Sequence, residues 1–211
     1  MKGGLLALGA VGALALGAAV SKRGSRAEEE DRTSTTLPDY VRRLRAFRSH
    51  RPEGYGYASI EDYLFVHGAA SVVAPLSLEE VDIVRRAHHR LRFQMQGCYR
   101  NAQELVLRDA SNTLQYVEGY GLGRACIPLM HGWATVNGKV VDPTWLPVQN
   151  KQVVSPPSDW HYFGATFSRE EIREIARLQI NGRGRKGKLW SVLDFWEAGF
   201  PVLRRPRVQA G

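Results

Sequence analysis

Apolar side chains in "LPDYVRRLRAFRSH" (37–50) recur at Leu37, Val41, Leu44 and Phe47 with arginines between them, which predicts a basic, amphipathic helix. A second helix is expected over 59–68, opened by Ser59 as N-cap with Asp62 behind it and stopped by Gly68. Ser77 followed by Glu80 is a capping-box pattern that opens a third helix over 77–93. The pattern breaks at "QMQG" (94–97) and resumes over 98–110 through Ala102, Leu105, Val106 and Asp109. "TLQYVEGYG" (113–121) alternates like a strand. Residues 148–164 read as mostly loop with one candidate short strand, and 168–180 as a helix capped by Ser168 with Glu171 three residues on. A last apolar helix is expected over 189–200. Helices come first, strands in the middle and helices again at the end, which is an α+β arrangement.

The sharpest local prediction is in "HGWATVNGKVVDPTW" (131–145). Two β-prone runs flank Asn-Gly, a pair that accepts the positive φ angles of a two-residue hairpin loop. With Asn137-Gly138 as that loop, Val136 lies opposite Lys139, Thr135 opposite Val140 and Trp133 opposite Asp142. Alternation then puts His131, Trp133 and Asp142 on one face. His131 becomes the diagonal neighbour of Asp142, about 7–8 Å away between Cα atoms and within reach of longer side chains.

The ends differ in kind from this body. Residues 3–20 carry eighteen uncharged, Ala/Gly-rich positions, just enough for a membrane-spanning helix. Lys22, Arg23 and Arg26 follow, a bias that keeps the rest of the chain cytoplasmic. A cleaved export signal ending near Ala18-Ala19 is the alternative. The expected organisation is a hydrophobic segment over 1–20 (anchor or signal), a polar linker over 21–36, one α+β domain over 37–200 and a basic tail over 201–211. A formal charge of +8 favours anionic partners, nucleic acid or a membrane surface, without specifying one. Arg183, Arg185, Lys186 and Lys188 in "NGRGRKGK" would supply phosphate contacts, though no aromatic is interleaved to stack bases.

There are two cysteines, Cys98 and Cys126, which form one disulfide if the domain is exported and two thiols if it is not. There is no CxxC pair, and His88-His89 has no partner spacing, so neither a metal site nor a cofactor is expected. "GYGLG" (119–123) lacks the Lys-Ser/Thr pair and the following helix of a phosphate loop. Cys98 follows Gly97 at the first turn of a helix, where unpaired N–H groups and the helix dipole favour a thiolate. Chain order thus supplies a nucleophile, then a histidine as general base, then an aspartate to fix its tautomer. Gln94 and Gln96 stand near the nucleophile, and Gln96 is the candidate side chain for an oxyanion. Glu118 is either a buried, hydrogen-bonded acid or a cleft wall, and Trp133 either core or a second wall.

"QGCYRNAQEL", "YVEGY" and "HGWATVNGKVVDPTW" together resemble the core of the transglutaminase-like group of the papain-like cysteine protease superfamily. The family pattern is a Cys opening a helix, His-x-Trp at the start of a strand and Asp-Pro-Thr at the end of the next. Cys98, His131 with Trp133, and Asp142-Pro143-Thr144 match it in order over residues 94–145. The resemblance implies a Cys-bearing helix packed on a small antiparallel sheet with flanking helices, and a Cys98–His131–Asp142 triad. It also implies a hydrolase or acyltransferase that attacks amide or ester bonds through a thioester. The chain departs from the pattern twice: Cys98 and His131 are only 33 residues apart, and Gly132 stands where alanine is frequent. The competing reading is an inactive scaffold that binds an anionic partner through helix 37–50 and the basic loop, and a Cys98–Cys126 disulfide would favour it.

Overall fold

The computed structural model describes residues 36–47, 50–51, 53, 56–89, 91, 94, 96–123, 127–145, 155–177 and 191–193. In chain order these form α1 (Leu37–Ala46), α2 (Ile60–His67), β1 (Ala69–Ala70), α3 (Leu78–His88), α4 (Cys98–Arg108), β2 (Leu114–Leu122), β3 (Leu129–Val136), β4 (Lys139–Val141), β5 (His161–Phe167) and α5 (Arg169–Arg177). The chain is an α+β protein built on a curled, antiparallel five-stranded sheet of order β1-β5-β2-β3-β4.

Side-chain caps set the helix starts. Ser59 Oγ accepts from Asp62 N, and Ser77 and Glu80 close a reciprocal capping box, as do Ser168 and Glu171. The hairpin has the predicted register: Asn137 and Gly138 take φ of 50° and 77°, Val136 pairs with Lys139 and Thr135 with Val140. Glu80 ties the hairpin tip to α3 by accepting from Asn137 Nδ2 at 3.0 Å and Lys139 Nζ at 2.9 Å. Helix α3 stops at His88, five residues before the expected end.

The reading of 148–164 as mostly loop with one candidate short strand does not place the sheet's second strand, which starts at His161 and runs past that stretch to Phe167. β5 pairs with β1 on one side and with β2 along seven positions on the other. It follows the Pro-rich run "SPPSDW" and carries Gly164 at its centre, and both of its faces are largely buried, so no alternation marks it. β1 is only two residues long, too short for any periodicity to mark it.

Two cores result from the curl. Just after β1, Val72 reaches the far edge of the sheet: its N–H donates to Gly138 O at 3.0 Å, and its carbonyl accepts from Val140 N at 2.9 Å. That bridge joins the two edge strands and encloses the face carrying Val117, Trp133, Val140 and Tyr162. On the opposite face Tyr116, Ala134, Val136, Ala165 and Phe167 pack against Val84, Ala102, Leu105, Val106 and Ile172 of the helices.

Among the described residues no helix is long and apolar enough to cross a membrane. The apolar segment 3–20, the linker up to residue 35, the basic loop 181–188 and the tail 201–211 lie outside the described residues, as does all but 191–193 of the expected last helix.

Candidate active site

The site forms where β4 leaves the sheet. β4 pairs with β3 only at Ala134–Val136, so His131 stands beyond the end of β4, and Asp142 is the first residue after it. Alternation points both side chains into the enclosed face, and His131 Nε2 meets Asp142 Oδ2 at 2.8 Å. Both residues are 2% exposed.

Every acceptor position of the Asp142 carboxylate is used. Oδ1 accepts the backbone N–H groups of Thr144 and Trp145, each at 3.0 Å, which is the Asx turn expected of Asp-Pro-Thr. Oδ2 accepts from His131 and from the Tyr162 hydroxyl at 2.9 Å. Burial would push the pKa of this carboxyl up, but the His131 charge, the His131 hydrogen bond and the two amides hold it below its ordinary value. Asp142 is therefore an anion at neutral pH.

Cys98 reaches the same imidazole from the other side. It is half-buried, carries a free thiol and hydrogen-bonds to His131. With Nε2 taken by Asp142, Nδ1 is the nitrogen left for the sulfur. Burial works against a charge on His131, but the Asp142 carboxylate, through its charge and its hydrogen bond and with Cys98 beside it, lifts the imidazole to about 9. Trp145 stacks on the ring, centroids 4.0 Å apart and planes at 15°, a face that also favours an imidazolium.

α4 packs against β3, with Tyr99 closing on Gly132. Asn101, one turn into α4, donates from Nδ2 to Gln94 O at 2.8 Å and to Thr144 Oγ1 at 2.9 Å. Its Oδ1 accepts from Gln94 N at 3.0 Å. One side chain thus pins the helix start, the loop before it and the turn after Asp142. Gly97 caps the helix without a side-chain hydrogen bond, so no capping side chain occupies the first-turn amides beside Cys98.

The remaining sequence candidates are placed differently. Gln96 is exposed on left-handed backbone, φ 62°. Trp133 is fully buried in the enclosed face, its indole N–H on Ser71 Oγ at 3.1 Å, so it opens to no cleft. Glu118 is fully buried on the opposite face. It accepts from Tyr116 at 2.7 Å, from Ser191 Oγ, and from the N–H groups of Val192 at 2.8 Å and Leu193 at 3.1 Å. It is therefore a buried, hydrogen-bonded acid rather than a cleft wall. Burial pushes it up to about 7 against the pull of these donors. Cys126 and Arg183, Arg185, Lys186 and Lys188 lie outside the described residues.

Three residues at the site were not anticipated: Tyr162, Trp145 and Asn101. Trp145 ends the "DPTW" motif without itself signalling a role, and nothing local marks the other two, because each acts across more than 19 residues or through a neighbouring loop. Among the described residues no group of three or more His, Cys, Asp or Glu side chains is arranged to hold a metal ion. Comparison of the chain with protein-family models, with curated proteins and with solved structures returns no match.

Proposed function

We propose that this chain is a cysteine-dependent hydrolase or acyltransferase of the transglutaminase-like, papain-like kind, acting on amide or ester bonds. The observation that carries the reading is a single imidazole held between a buried carboxylate, at 2.8 Å, and a half-buried free thiol at a helix start. A Cys-bearing helix packed on an antiparallel sheet supports the papain-like assignment, together with the motif order Cys98, His131, Asp142.

In this reading His131 takes the Cys98 proton on Nδ1, and Asp142 holds Nε2–H and stabilises the imidazolium. The thiolate forms a bond to the substrate carbonyl carbon, and the carbonyl electron pair moves to oxygen. The Cys98 N–H at the uncapped helix start faces that oxyanion. Collapse breaks the bond to the leaving amine or alcohol, which takes the proton from His131. Water or a second amine then attacks the thioester, gives its proton to His131 and releases Cys98. Water makes the protein an amidase or protease, and an amine makes it a cross-linking enzyme.

The test is covalent trapping. A peptide carrying an electrophilic carbonyl in place of the scissile amide should add once, to the Cys98 peptide by mass spectrometry, and should not add to Cys98→Ala or His131→Ala. Equal modification of wild type and His131→Ala would overturn the reading.

A further inference from the structure

We propose that Tyr162 is a positioning residue that sets the basicity of His131 through Asp142, reaching it across the glycine-bearing strand β2. The inference rests on the functional reading above. Tyr162 is on β5 and His131 on β3, two strands apart with β2 between them. On the enclosed face the intervening β2 positions are Gly119, paired with His131 and Gly164, and Gly121, paired with Leu129 and Tyr162. The Tyr162 hydroxyl meets Asp142 Oδ2 at 2.9 Å. A Cβ on Gly121 would come within 3.0 Å of Trp145 and 3.5 Å of His131 Cβ, which shows how closely the cluster closes over the bare strand. A Cβ on Gly119 would strike Phe163 O at 2.4 Å.

The same oxygen of Asp142 serves both His131 and Tyr162. A donated hydroxyl draws negative charge toward itself and fixes the plane of the carboxylate, so His131 receives only part of the pull that an undivided oxygen would exert. Burial and the Asp142 charge both hold the phenol well above its ordinary value, so it stays a donor at every working pH. Among the described residues the titratable groups facing His131 are Asp142 from the end of β4, Cys98 from α4 and Tyr162 from β5, with Trp145 and Trp133 as the aromatic walls. Removing the hydroxyl leaves Oδ2 to His131 alone, so the imidazolium should hold its proton to higher pH and become a poorer acid toward the leaving group.

The experiment follows the His131 ring by NMR in histidine-labelled full-length protein across pH, in wild type, Tyr162→Phe and Tyr116→Phe. Tyr116 is the control, because its hydroxyl meets a different buried carboxylate, Glu118, at 2.7 Å. Tyr162→Phe should raise the His131 midpoint by about half a unit to one unit, while Tyr116→Phe leaves it in place. A 3,5-difluorotyrosine at 162, nearly isosteric and a stronger donor, should lower the midpoint, and it keeps the test open if Tyr162→Phe does not fold. An unmoved midpoint in both Tyr162 variants would overturn the inference. Because the readout is the titration and not turnover, it stands or falls separately from the enzyme assignment, which the trapping experiment decides.

Discussion

Gly132 and Tyr99 meet so closely that β3 and α4 share one surface there: a Cβ on Gly132 would lie 2.9 Å from Tyr99 Cδ1 and 3.0 Å from Tyr99 Cα. Gly132 neighbours His131 and Tyr99 neighbours Cys98, so this contact sets how near the helix start comes to the imidazole. Gly132→Ala should push α4 off β3. We expect a loss of about 1–3 kcal/mol of stability, the usual cost of overpacking, and a fall in Cys98 alkylation rate beyond that of equally destabilised variants. Chemical denaturation and iodoacetamide labelling measure the two effects. This glycine stands where the resembled family often has alanine, and the close helix gives the reason.

Asp142→Asn keeps the shape and replaces an acceptor by an amide. His131 then loses the charge and the hydrogen bond that lift it, and burial, which opposes its charge, prevails. The imidazole midpoint should fall below its ordinary 6.5, and turnover on an amide substrate should drop by about 10²–10⁴, the usual worth of general acid–base catalysis. A Cys98 that reacts as fast in Asp142→Asn as in wild type at pH 6 would show that Asp142 serves only the fold.

Glu80, held down to about 2, and Asp109, also held below its ordinary value, withdraw stability only in acid, and three further buried groups add their own pH dependence. His131 rises from 6.5 to about 9, so its contribution is full below 6.5 and is lost as pH climbs through 9. Glu118 rises from 4.5 to about 7, so its contribution is full below 4.5 and is lost through 7. Asp142 is held below 3.8, so its contribution is present above 3.8 and is lost as pH falls through its folded value. The fold should therefore be most stable on the acid side of neutrality. Between pH 4.5 and 7 wild type should lose about 3 kcal/mol relative to Glu118→Gln, at about 1.4 kcal/mol per unit. Urea unfolding of the two proteins across this range reads the difference, and parallel curves would contradict it.

Gly138→Ala separates the scaffold from the site. At φ 77° an alanine costs about 1 kcal/mol, while the Cβ itself meets nothing within 4 Å. Thermal unfolding should register that cost, and Cys98 labelling should be unchanged.

What the sequence shows and what it hides divide along a physical line. Ser59, Ser77 and Ser168 announce their helices because capping is local, within three residues. The facing of His131 and Asp142 is legible because a two-residue turn fixes register and strand alternation does the rest. Trp133 shares that face, yet whether the face is open or closed depends on Val72 bonding to the hairpin some 65 residues away, which no periodicity records. β5 and its Tyr162 are hidden for a related reason: a strand buried on both faces with a central glycine has neither alternation nor β-branched density. Glu118 is ambiguous in sequence because its donors Ser191, Val192 and Leu193 arrive from more than 70 residues downstream.

The central claim is an activated thiol at Cys98, and its most direct test is the pH dependence of alkylation in the purified, non-reduced full-length protein, with each cysteine mapped by peptide. Rapid labelling of Cys98 well below pH 8, abolished in His131→Ala with the fold intact, is the predicted result. A Cys98 that labels only as an ordinary thiol does, with the same profile in His131→Ala, or one recovered bonded to Cys126, would contradict the account.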